Sequence, residues 1–252
     1  MSDRLNAEQC AAVRALDQAS VVLLSGGPGT GKTSTVVEIL ARAEARHPGL
    51  RIGLAAPTGK AARRLGEAVM AQRAPLPFGT LHRGLEAGSR GFGRHRQRPL
   101  ELDLLVIDEM SMLDLALTQA LLEALPSGCR LLLVGDPAQL PPVGSGAVWH
   151  RLQQPDVRGR FGAGAVHLER TYRNRGALAQ VAQQLRQGDL QAFAADLAAL
   201  PEQANLQVHP WPLRRFPDLV RQRWILRLQQ LQVRTGDLDR CTEQELKAES
   251  RP

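Results

Sequence analysis

The sequence predicts an α/β fold, with a mostly parallel β-sheet covered by helices on both faces. Three observations predict it. Short apolar runs alternate with longer stretches of helical period along most of the chain. The runs are apolar nearly throughout, the pattern of strands buried on both faces. Stop signals such as Pro126 and Gly188 end the later helical stretches.

Taken in order, the strand candidates are Val21 to Leu24, Ile52 to Ala56, Leu102 to Ile107, Leu131 to Val134 and Ala165 to Leu168. Between them the 3.6-residue period predicts helices over Thr33 to Arg46, Lys60 to Gln72, Leu113 to Leu125 and Ala177 to Gln187. No internal repeat interrupts this order. Gly88 to Pro99, GSRGFGRHRQRP, is glycine-rich and basic with neither period, and reads as an exposed loop inserted in the core. Its arginines either touch a phosphate backbone or form a solvated run. Residues 1–200 are expected to form one domain. Beyond Pro201 prolines cluster through Pro217; Leu219, Val220, Trp224, Leu228 and Leu231 then mark an amphipathic helix, and a polar tail follows Gly236.

Composition narrows the class. With 43% hydrophobic and 23% charged residues in 252, the chain can bury a sizeable core, so disorder is not expected. A net charge of +7 suits a polyanionic partner such as nucleic acid, although a merely basic surface gives the same sum. Cys10, Cys129 and Cys241 are far apart and no CxxC occurs, which indicates neither a zinc site nor a disulfide framework and suits a cytoplasmic location. No apolar run approaches the length that spans a bilayer.

The strongest chemical signal is GGPGTGKT, Gly26 to Thr33, a match to the phosphate-binding P-loop placed between a strand and a helix. Its glycines let the backbone turn round a phosphate chain and aim amide N–H groups at the anion. Lys32 is expected to reach the β- and γ-phosphates, and the Thr33 hydroxyl to ligate Mg²⁺. The nucleotide contacts expected from this segment are Gly26, Gly27, Pro28, Gly29, Thr30, Gly31, Lys32, Thr33 and Thr35. A second acidic element is LLVIDE, Leu104 to Glu109. An apolar strand ending in two carboxylates would put Asp108 on the Mg²⁺ shell and leave Glu109 to orient and deprotonate a water.

These segments, in this order, resemble the superfamily 1 DNA helicases and within them the RecD type. LNAEQCAAV (Leu5 to Val13) resembles that family's adenine-reading segment, APTGKAARRL (Ala56 to Leu65) the motif after its second strand, and GTLHRGL (Gly79 to Leu85) its next DNA-side motif. VIDEMSMLD (Val106 to Asp114) is similar to its metal and water motif. LLLVGDPAQLPPVGSGAV (Leu131 to Val148) matches the segment that couples nucleotide to DNA, and LERTYRN (Leu168 to Asn174) the arginine motif. SGAV after the prolines favours the RecD type over Pif-type helicases or relaxases.

The resemblance implies a RecA-like P-loop fold, ATP and Mg²⁺ as cofactors, and single-stranded DNA as partner. It assigns Gln9 to adenine, Gln139 to the γ-phosphate or the attacking water, and Arg173 to the γ-phosphate, with Arg170 as the competitor. Thr58, Lys60, Thr80 and His82 fall where the family faces DNA. Bland readings stand beside these: Asn6 and Gln9 can form a capping box, Gln139 can be a turn residue beside Pro137, Thr58 can cap its helix, and His82 can be a structural hydrogen bonder. Trp149 is expected in the core, with base stacking the alternative.

The family's second RecA-like domain carries late motifs that do not follow Asn174, so the chain is expected to be an N-terminal motor half. Unwinding would then need another polypeptide, either one supplying the second motor domain or the other subunits of a RecBCD-like complex. The rival readings are a nucleotide-gated DNA-binding or scaffold subunit and a small-molecule kinase.

Overall fold

The computed structural model describes residues 5–71, 76–89, 91–172, 181, 184–185 and 188–199. The helix expected over Ala177 to Gln187 falls mostly, and the segment after Pro201 wholly, outside these. By contacts the chain divides into residues 1–193 and 194–252. In the second unit the described residues, 194–199, include the end of a helix, Leu190–Ala198.

Six strands form one parallel sheet: β1 Val21–Gly26, β2 Ile52–Ala56, β3 Phe78–Thr80, β6 Leu104–Ile107, β7 Arg130–Gly135 and β8 Ala165–Leu168. Their spatial order is β3-β2-β6-β7-β1-β8. The helices are α1 Ala7–Gln18, α2 Lys32–Arg46, α3 Gly59–Met70, α4 Leu81–Gly84, α5 Leu115–Ala124, α6 Val148–Gln153 and α7 Pro155–Arg158.

Each strand splits its side chains between two cores, because successive residues point to opposite faces. Val22 and Leu24 of β1 join Leu104, Val106, Leu132 and Val134 under α1, α2 and α3. Leu23 joins Leu105, Ile107, Leu131 and Leu133 on the other face, beneath Leu117 and Leu121 of α5 and the fully buried Trp149 of α6. Helices therefore cover both faces, and the chain has the RecA-like P-loop fold.

Several elements differ from the sequence expectation. The helix expected over Leu113 to Leu125 is α5, which starts two residues later, and a separate 3₁₀ turn, Met110–Met112, precedes it. Asp114 breaks the run by capping α5, its Oδ1 accepting from the Leu117 amide at 2.8 Å. The stretch 88–99 is not a bare loop. β4 Ala87–Gly88 and β5 Gly91–Phe92 pair antiparallel, and His95 bridges Arg98. Glu86, at φ +54°, accepts from Arg94 Nε at 2.8 Å and from Arg98 Nη2 at 3.2 Å. A stretch that reads as a run of free cations is thus partly tied down by one carboxylate.

Candidate functional site

The loops that leave β1, β6, β7 and β8 lie at the carboxyl edge of adjacent strands, where open α/β sheets hold their ligands. They enclose a cavity of about 630 Å³. It is lined by Pro28, Gly29, Gly31, Lys32, Thr33 and Ser34 of the P-loop, and by Asp108, Glu109, Asp136 and Gln139 from the β6 and β7 ends. Arg64 and Ala68 of α3 and Tyr172 after β8 complete it.

The P-loop is held from within. Lys32 Nζ donates to the carbonyls of Gly26 at 2.8 Å and Gly27 at 3.0 Å, and Thr30 Oγ1 donates to Gly27 O at 2.9 Å. Gly31, at φ +86°, begins α2 in the left-handed region, which glycine enters without a Cβ penalty. A Cβ there would lie 2.7 Å from Gln9 Nε2. Thr33 faces the cavity. Thr35 does not line it: it is fully buried and its hydroxyl donates to Gly31 O at 2.9 Å.

Both readings of Gln9 have a structural counterpart. Gln9 Oε1 accepts from the Asn6 amide at 3.0 Å and the Asn6 side chain accepts from Gln9 N at 2.8 Å, a complete capping box. Its Nε2 end meanwhile lies against Gly31, on the side where the Tyr172 ring stands 3.8 Å from a Cβ at Gly31. Tyr172 N donates to Gly29 O at 2.7 Å, and the Arg170 guanidinium sits 5.3 Å from the ring centroid. Arg173 lies outside the described residues.

The two carboxylates occupy different environments. Burial raises the Asp108 carboxyl above its ordinary range, opposed by the Glu109 amide and by the charges of Lys32 and Arg64. Its Oδ1 accepts from Glu109 N at 2.8 Å. Glu109 has φ +55°, a region costly for a residue with a Cβ and found where a site fixes its geometry. Gln139 Nε2 donates to Glu109 Oε2 at 3.2 Å, while Ser111 Oγ donates to Gln139 Oε1 at 2.7 Å. The carboxylate of Glu109 only accepts and so fixes which end of the amide faces it, and the buried Ser111 satisfies the other end. His150 Nε2 lies 2.9 Å from Gln139 O, tying the same loop to α6.

Magnesium in a P-loop site takes a hydroxyl and a carboxylate from the protein and its remaining ligands from phosphate and water. Thr33 and Asp108 share this cavity and supply that donor set. No group of three or more His, Cys, Asp or Glu with metal-holding placement occurs among the described residues.

The expected DNA-side residues sit apart from this cavity. Thr80 caps α4 by accepting from Arg83 N at 3.2 Å, and Thr58 caps α3 by accepting from Ala61 N at 3.3 Å. Because β2 pairs with β3 in a register that sets Ala56 opposite Thr80, the two segments lie side by side. Thr80 Cγ2 stands 4.0 Å from a Cβ placed on Gly59, and Lys60 and His82 are exposed beside them. Trp149 is not a surface platform. It is fully buried with its ring against Gly135.

A sheet of this order with a glycine loop, Lys-Thr pair and Asp-Glu pair at its carboxyl edge defines a P-loop domain of the RecA-like class. The profile of an AAA domain family matches residues 9–145. The chain belongs to that family, and the relatives it is similar to are of RecD type.

It is 48% identical over 142 residues to the ATP-dependent RecD2 DNA helicase of Deinococcus radiodurans, covering 56% of this chain and 19% of that protein. It is 40% identical over 233 residues to the RecBCD enzyme subunit RecD of Mycolicibacterium smegmatis, covering 84% of this chain and 41% of that one. The chain thus spans less than half the length of either relative. Among solved structures, the Pif1 helicase from Candida albicans superposes with a TM-score of 0.52 at 22% identity, covering 87% of this chain and 54% of that one, a likeness of fold. No helix among the described residues is long and apolar enough to cross a membrane.

Proposed function

We propose that this chain is the ATP-binding motor domain of a RecD-type, ATP-dependent DNA helicase acting in DNA recombination and repair. The observation that carries the reading is the single cavity in which Lys32, Thr33, Asp108, Glu109 and Gln139, drawn from three strand ends, meet. The P-loop amides and Lys32 bind and orient the triphosphate. Thr33 and Asp108 would hold Mg²⁺, which when bound neutralises charge on the phosphates. Glu109, fixed by its backbone and by the Gln139 amide, takes the proton of the attacking water, and Gln139 orients that water. Gln9 and Tyr172 flank Gly31 and receive the adenine end, and Arg173 completes the γ-phosphate contacts.

Single-stranded DNA is the proposed partner, held along Thr58, Lys60, Thr80 and His82 by phosphate contacts that carry no base sequence. The likeness to subunits of RecBCD makes further subunits, or a polypeptide supplying a second motor domain, part of the same proposal, as is a cytoplasmic location. Phosphoryl transfer gains roughly 10³ to 10⁵ in rate from an arginine reaching across the nucleotide cleft. The 252-residue polypeptide by itself is therefore expected to bind Mg-ATP and to hydrolyse it slowly, with little stimulation by DNA and no unwinding.

Steady-state ATPase of the purified chain with and without single-stranded DNA tests this. Slow turnover that rises when a polypeptide carrying the second domain is added supports the motor reading. Turnover of several per second with strong DNA stimulation would show that the chain already holds a complete site. Binding of ATP with no turnover under any condition would point to a nucleotide-gated scaffold.

A further inference from the structure

Resting on the nucleotide reading of the cavity, we infer that Arg64 is a γ-phosphate-sensing cation supplied from within this domain, one that discriminates a nucleoside triphosphate from a diphosphate. Arg64 lies on α3, whose orientation is fixed from below by Leu65 and Val69, both buried in the core, and at its start by the Thr58 cap. That anchoring turns one side of the helix toward the P-loop. Of its exposed cations Lys60, Arg63 and Arg64, only Arg64 lines the phosphate cavity, with Ala68 one turn further along the same side.

Sheet order places Arg64 at a definite end of that cavity. β1 carries the P-loop, with Gln9 and Tyr172 on the β8 and α1 side of it. β6, with Asp108 and Glu109, and then β2, which leads into α3, lie on the other side. Arg64 thus faces the carboxylate end, where a terminal phosphate and its attacking water belong, and is remote from the base end.

Its chemistry suits the task. Arg42, Arg51, Arg94, Arg98 and Arg151 are each paired with a carboxylate, whereas Arg64 makes no hydrogen bond or ion pair among the described residues. It does act electrically on the site, since its charge helps to hold the Asp108 carboxyl down against burial. Asp108, Glu109 and Asp136 outnumber Lys32 and Arg64 in the lining, so an extra anionic phosphate depends on both cations. A planar guanidinium offers a fork of donors that matches phosphate oxygens and carries its charge at any working pH.

The test is a titration of the full chain with Mg-ADP and with a non-hydrolysable Mg-ATP analogue, for the wild type, Arg64→Ala, Arg64→Lys and, as a control, Lys32→Ala. Arg64→Ala should weaken the triphosphate analogue by about tenfold or more, the worth of a charge-assisted hydrogen bond, and leave Mg-ADP nearly unchanged. Arg64→Lys should recover part of the loss, because it restores charge without the fork. A thermal melt checks that the variants fold, as expected for an exposed side chain.

Equal affinities of wild type and Arg64→Ala for both nucleotides would overturn the inference. So would an equal loss for both, or a loss of single-stranded DNA affinity with the nucleotide preference intact, which would mark Arg64 as a DNA-side cation. If the wild type binds neither nucleotide, the nucleotide-site reading itself fails and the inference goes with it. If it binds both and only Lys32→Ala abolishes binding, the site reading stands and the inference about Arg64 alone falls.

Discussion

Lys32 holds two carbonyls of its own loop and lines the cavity beside Thr33, Asp108 and Glu109. Lys32→Ala should therefore abolish nucleotide binding, or weaken it by upwards of about 2 kcal/mol, with the fold kept. A nucleotide titration paired with a melting curve measures both, and unchanged affinity would sink the P-loop assignment. Residues of this kind were legible in the sequence because motif spacing fixes them: Lys32, Thr33, Asp108, Glu109 and Gln139 all line one cavity. Arg64, Tyr172 and Asp136 line it too, yet the sequence singled out none of them for the nucleotide. Arg64 is one of two adjacent arginines, and only the pitch of α3 decides which of them faces inward. Asp136 was legible only as part of GDPAQ. Gln9 shows a different limit: spacing alone could not separate a cap from a ligand, and the amide that completes the capping box also lies with its Nε2 against Gly31.

At the scale of the element, burial on both faces wrote the strands into the sequence most clearly. Ala165 to Leu168 matches β8 to the residue, and β1 and β7 extend their apolar runs by no more than two residues at either end. β3 escaped notice because Phe-Gly-Thr is too short for any period, and its place comes from pairing with β2. The turn before α5 was hidden for a related reason: an apolar run does not say whether a 3₁₀ turn or an α-helix buries it. Trp149 was expected in the core, and it is the largest fully buried side chain of its face. Its ring leaves no room for a Cβ on Gly135, at 2.7 Å. Trp149→Ala should accordingly cost about 3 to 5 kcal/mol, and Trp149→Phe less, since part of the ring is retained. Chemical denaturation of the three proteins measures this. A cost below about 1 kcal/mol for the alanine variant would mean that α6 does not anchor the loop carrying Gln139.

For the whole molecule, strand order turns scattered motifs into a site. The parallel arrangement sends the chain end of every strand to one edge, so segments more than a hundred residues apart in sequence meet without any long-range signal between them. The net charge of +7 belongs to this scale as well. Affinity for single-stranded DNA should be indifferent to base sequence and fall with salt, with a log–log slope of about −0.7 for each phosphate neutralised. Binding isotherms on two unrelated sequences over a range of salt give the slope, and a flat dependence would leave the charge as a solubility feature only.

The inserted stretch behind α4 has a further consequence at this scale. Leu85, which opens it, is fully buried, and Leu100, which closes it, donates its amide to Ala124 O at 2.8 Å. Between those fixed ends, Glu86 and its two arginines knot the stretch upon itself, and the β4–β5 hairpin belongs to a separate sheet. Its length is thus uncoupled from the register of the six parallel strands. Since the entropy of closing a loop grows only slowly with its length, the stretch can be lengthened or shortened at little cost to the fold, while the residues at the strand ends keep their places.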